Sequence, residues 1–140
     1  MSTITGYDRL TVASAMHRGV VTCRPETPLP KVADMMAGHR IHSVVMWSEP
    51  EETDEEGTLW GVVSDLDLAR AIAAGDAEVT AQGASSTRVF TVDQNDSVRR
   101  AAELMVEHGV GHLVVVKRGR PVGVISTFDL ARRLADEMSQ

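Results

Sequence analysis

Apolar and polar positions alternate along this chain with two periods, and the order of the periods repeats. Val20 to Cys23 and Val89 to Val92 are short apolar segments bounded by turn-forming residues, the pattern of a strand. After the first, Thr27-Pro28 predicts a helix start, with Thr27 as N-cap and proline at the first helical position; Asp96 is the corresponding cap after the second. Apolar residues then recur at helical spacing, as Leu29, Val32, Ala33 and Met36, and again as Val98, Ala101, Ala102 and Met105. Two runs rich in β-branched residues follow in each case: Val44 to Trp47 with Leu59 to Val63, and Leu113 to Val116 with Pro121 to Ile125. Lys117-Arg118-Gly119-Arg120 predicts a tight hairpin in the second case. Helices over Leu66 to Ala74 and Phe128 to Met138 close the two series.

The order strand, helix, strand, strand, helix therefore occurs twice, and the residues themselves repeat. Thr22-Cys23 aligns with Thr91-Val92, and Leu29, Val32, Ala33, Met36 and His39 fall on Val98, Ala101, Ala102, Met105 and His108. Further on, Gly61-Val62-Val63-Ser64-Asp65-Leu66-Asp67 matches Gly123-Val124-Ile125-Ser126-Thr127-Phe128-Asp129. The register changes between these blocks because residues 48–57, strongly acidic, are inserted in the first copy only. The chain reads as a flexible N-terminus (1–10), a first repeat (11–74), a linker (75–80) and a second repeat (81–138). One copy is marginal for burying a core alone, so two sheets packed with pseudo-two-fold symmetry are expected in an α+β (α/β-like) fold.

Composition narrows the function. The 140 residues are 43% hydrophobic and 24% charged, as in a soluble globular protein. No apolar run reaches the ~20 residues of a membrane span. The N-terminus lacks the basic start and apolar stretch of a secretion signal. Cys23 is the single cysteine, so an internal disulfide is impossible and a reducing, cytoplasmic setting is expected. The net charge is −6, and six of the twenty acids lie in 49–56. The other fourteen acids balance the fourteen bases, which leaves no basic field for a nucleic acid. No P-loop, HExxH or G-x-S-x-G motif is present, and the chain is expected not to be an enzyme.

Ser64-x-x-Asp67 and Ser126-x-x-Asp129 carry the candidate chemistry. A carboxylate can accept hydrogen bonds from both hydroxyls of a ribose diol, and a helix start favours a phosphate. The same spacing is that of a helix capping box, and the two roles are compatible. His39, His42, His108 and His112 lack accompanying cysteine or acidic ligands in sequence, so no metal site is expected of them. Met35, Met36, Met105 and Met138 are expected in the core or at a dimer contact, and Trp47 and Trp60 to pack across the first hairpin.

With its two matched motifs, and with Val12-Ala13-Ser14-Ala15-Met16 ahead of Val20-Val21-Thr22, the chain resembles the cystathionine-β-synthase-type (CBS) domain family as a tandem pair, from about residue 11 to about residue 134. The resemblance implies a regulatory module binding an adenosine-containing ligand, AMP, ADP, ATP or S-adenosylmethionine, in a cleft between the copies. It implies Asp67 and Asp129 for the ribose, and Ser64, Ser126, His42 and His112 for ribose or phosphate. Thr22, Val89 and Thr91 would border the base. It further implies a homodimer and a regulated partner, as in stand-alone members; the alternative is a ligand-free dimerisation or interaction module. Ser43 stands where the second copy has His112, and Gly83 replaces the methionine-bearing opening pattern, so the two sites are expected to be unequal.

Overall fold

The computed structural model describes residues 8–50, 57–76, 78–86 and 88–138. The elements run α1 (Val12–Ala15), β1 (His17–Arg18), β2 (Thr22–Cys23), α2 (Leu29–His39), β3 (Ser43–Ser48), β4 (Thr58–Ser64) and α3 (Asp65–Ala74). They continue as α4 (Ala81–Ala84), β5 (Thr91–Asp93), α5 (Val98–His108), β6 (His112–Lys117), β7 (Arg120–Ser126) and α6 (Thr127–Met138). The expected strand, helix, strand, strand, helix order is present in both copies. Most of the acidic insertion, 51–56, lies outside the described residues.

Two compact units form, and they do not follow the repeats. One comprises 1–19 with 90–140, the other 20–89. In the first, the sheet order is β1-β7-β6-β5; in the second it is β2-β3-β4. Each sheet has a parallel pair, β2 with β3 or β5 with β6, and an antiparallel hairpin, β3 with β4 or β6 with β7. Both hairpins carry an irregularity at the same place, so that Trp60 and Val122 are extra residues opposite the Met46/Trp47 and Val115/Val116 steps. The tight connection is Arg118-Gly119, both at positive φ (52° and 79°), with Lys117 paired to Arg120. That is the two-residue turn whose twist suits a hairpin.

The cores are built alike. Leu29, Val32 and Met36 of α2 pack with Val44, Met46 and Val63, and Ala81 of α4 joins them. Val98, Ala101 and Met105 of α5 pack with Leu113, Val115 and Ile125, joined by Val12 and Ala15 of α1. The opening helix of each copy therefore completes the core of the unit that holds the other copy's sheet. The same backbone bonds hold both openings. Val12 and Ala13 donate to the carbonyls of Asp96 and Gln94, and Val98 donates to Leu10; Ala81 and Gln82 donate to Thr27 and Pro25, and Leu29 donates to Val79.

That use corrects two sequence-based expectations. Thr27 is not the N-cap of α2: Pro28 occupies that position without a side-chain bond, and the Thr27 hydroxyl accepts from the Arg24 N–H. The cap of α5 is Ser97, not Asp96. Thr27 and Asp96 lie one step earlier because their carbonyls receive α4 and α1. Met36 and Met105 are core residues as expected, and Met35 packs against the core's edge. Trp47 is buried, while Trp60 is half-exposed and donates from Nε1 to the Ser48 hydroxyl 2.8 Å away across the hairpin.

Candidate functional site

Ser64 ends β4 and caps α3. Its hydroxyl accepts from the Asp67 N–H, and the Asp67 carboxylate accepts back from the Ser64 N–H at 2.9 Å, a reciprocal capping box. Ser126 and Asp129 repeat the arrangement at the β7–α6 junction, with Oδ2 of Asp129 2.8 Å from the Ser126 nitrogen and 3.1 Å from its hydroxyl. Both aspartates are 0% exposed and are the only charged side chains among the buried residues described. Burying a carboxylate is costly unless donors surround it.

The second oxygen of each carboxylate faces an opening segment. Asp67 Oδ1 accepts from the Ser86 N–H (3.1 Å), the Ser86 hydroxyl (2.7 Å) and Arg70 Nη1 (3.3 Å). Asp129 Oδ1 lies 2.8 Å from His17 Nδ1 and 3.7 Å from Arg132, yet neither contact is a hydrogen bond, the first for its alignment and the second for its length. Ser86 and His17 occupy the same place in the two opening segments, as do Ala81 and Val12. Sequence reading missed both. Their alignment was available, but nothing in it says that each reaches the motif of the opposite copy.

The remaining candidates lie around these junctions. His112 is exposed and pairs across the hairpin with Ser126, whereas Ser43 pairs with Ser64 in the other unit. His42 is one residue earlier, 81% exposed at its side chain, with Nδ1 3.0 Å from Asp65 Oδ2. The histidines thus sit differently in the two copies. Thr22 and Thr91 are exposed strand residues opposite Val45 and Val114, and Val89 is half-buried. Cys23 is buried, which pushes its thiol pKa up; a bond from Thr27 opposes this and Glu26 adds to it. Among the described residues, no group of three or more His, Cys, Asp or Glu is placed to hold a metal ion. No described helix is long and apolar enough to cross a membrane.

Duplicated sheets, a Ser-x-x-Asp junction in each and exchanged opening helices define a pair of CBS domains. The CBS domain family matches residues 12–74 and 81–136, so the chain belongs to it as a tandem pair. The CBS domain-containing protein YhcV of Bacillus subtilis is 28% identical over 122 residues, 86% of this chain and 82% of that protein. Hypoxic response protein 1 of Mycobacterium tuberculosis is 27% identical over 129 residues, 90% of this chain and 86% of that protein. Among solved structures, the CBS domain protein PAE2072 from Pyrobaculum aerophilum complexed with AMP superposes with a TM-score of 0.74. It shares 28% identity, over 93% of this chain and 98% of that one. A structure of Hypoxic Response Protein I with two coordinated zinc ions gives 0.67 at 27% identity, covering 88% and 98%.

Proposed function

We propose that this protein is a cytoplasmic regulatory module whose Ser126–Asp129 junction binds the ribose of an adenosine-containing ligand: AMP, ADP, ATP or S-adenosylmethionine. One observation carries the choice of junction. Asp129 keeps a buried carboxylate oxygen without an aligned donor, while the corresponding oxygen of Asp67 accepts from three donors of the chain itself. A diol hydroxyl supplies the missing donor, and a charge-assisted bond of this kind contributes about 1.5–3 kcal/mol. His112, in register with Ser126, is the proposed phosphate contact. The AMP of a 28%-identical relative supports the ligand class. The zinc of the other relative is not carried over, since the described residues offer no three-ligand cluster.

Calorimetry against the four ligands tests this. Binding of at least one is expected, with Asp129→Asn weakening it about tenfold or more and Asp67→Asn leaving it within about threefold. No binding by the wild type at millimolar ligand overturns the reading. A ligand-free interaction module then takes its place. That alternative has its own support in the exposed apolar side chains of α6, Phe128 and Leu134, beside a 460 Å³ groove lined by Val98, Ala102, Leu130 and Ala131. On either reading, a homodimer and a regulated partner are the proposed outlets.

A further inference from the structure

His17 is the residue that distinguishes the two junctions. At the matching position Ser86 donates to Asp67 from its backbone N–H and its hydroxyl, and neither group changes charge near neutral pH. His17 instead brings an imidazole, 60% exposed at its side chain, to 2.8 Å from the fully buried Asp129 carboxylate. Histidine is the side chain whose charge ordinarily changes between about pH 5 and 8. Asp129 meets it from α6, and Arg132 of the same helix lies 3.7 Å from the same carboxylate oxygen. On β7 its strand partner is Val124, next to Gly123, and Arg18 follows it on β1.

We propose that His17 is a proton-controlled latch. When protonated, it pairs with Asp129, holds β1 on the edge of β7 and covers the carboxylate. When neutral, it loses the charge that draws it to Asp129, the opening segment loosens, and Asp129 becomes available to a diol. The ligand half of this statement rests on the proposed function; the latch half does not. His17 is the nearest polar side chain given for Asp129 Oδ1, which otherwise has no hydrogen-bond partner among the described residues. The sign follows from the pairing itself: the added hold needs a charged imidazole, so it belongs to the low end of the range over which histidines ordinarily change charge and is absent at the high end. Ligand affinity moves the opposite way.

Hydrogen exchange of the full chain tests the latch without a ligand. The Gly19 N–H, bonded to the Val122 carbonyl beside the β1–β7 pairs, is the reporter. Its protection, corrected for the intrinsic rate, is expected to fall about three- to tenfold between about pH 6 and about pH 8 in the wild type. His17→Ser, which installs the side chain used at the other junction, is expected to remove that dependence, and Asp129→Asn to do the same. The same pH dependence in wild type and His17→Ser overturns the latch. Adenosine, which has the diol but no phosphate to titrate, is the ligand probe. The wild type is expected to bind it about threefold or more weakly at pH 6 than at pH 8, and His17→Ser equally at both. A pH-dependent reporter with no adenosine binding at either pH leaves the latch standing and overturns the ligand reading. Adenosine binding that is unchanged by pH in the wild type overturns the competition.

Discussion

Asp67 and Asp129 stand at the same point of two copies of one motif, both fully buried, both closing a capping box with the serine three residues before. Beyond that shared half they differ. Asp67 is enclosed by a backbone N–H and hydroxyl from Ser86 and by Arg70; Asp129 meets an off-axis, solvent-reaching imidazole. The capping half recurs because both junctions need a helix start there. The other half depends on one side chain contributed from far along the chain, and that is where the copies have separated in chemistry. On the proposed reading, the carboxylate oxygen enclosed by three donors serves stability and the one beside the exposed imidazole serves binding.

The largest effects should come from stripping these carboxylates. Asp67→Ala leaves the N–H groups of Ser64 and Ser86 without their acceptor and is expected to cost about 3–4 kcal/mol in urea unfolding. Asp129→Ala is expected to cost about 2 kcal/mol, since fewer donors are orphaned. Equal losses would break the proposed distinction between a structural and a ligand-binding aspartate. Next in size is Gly123→Ala. A Cβ there would meet the His17 carbonyl at 2.5 Å and Met16 Sδ at 2.9 Å, so β1 must shift. A loss of about 1–3 kcal/mol is expected, together with faster exchange of the Gly19 N–H. Exchange left unchanged would mean that the opening segment is not held through β7.

Ser64→Ala and Ser126→Ala sharpen the comparison from its shared side. Each removes one cap and should cost about 1 kcal/mol, the two within a few tenths of each other. A markedly larger loss at Ser64 would carry the asymmetry into the caps. The smallest effect is at Cys23. Burial raises its pKa above the ordinary 9.0, so the neutral thiol is favoured by folding. Its contribution is whole below the unfolded thiol's pKa and declines as pH rises past it. The stability difference between wild type and Cys23→Ala should therefore narrow between about pH 8 and about pH 10.

The duplicated order of elements was legible because both periods and the residue repeat pointed to the same division, and every expected strand and helix exists. The Ser-x-x-Asp capping boxes were legible too, since a cap is made within four residues. Thr27 and Asp96 were misjudged as caps because a cap and a carbonyl receiving another helix look alike in a linear string. For the same reason the exchange of opening helices could not be read. Val12 and Ala81 are small apolar residues that suit either core, and the bonds from Ala81 to Thr27 and from Val12 to Asp96 are equivalent. In a near-repeat, local pattern cannot tell one's own copy from the other. Sequence by itself thus determined the elements, their order and the junctions where chemistry is concentrated, all of which depend on neighbours within a few residues. Only the tertiary structure decided which opening segment reaches which aspartate, and so that Asp67 meets Ser86 and Asp129 meets His17. That pairing is a long-range contact, fixed by which core each opening helix completes.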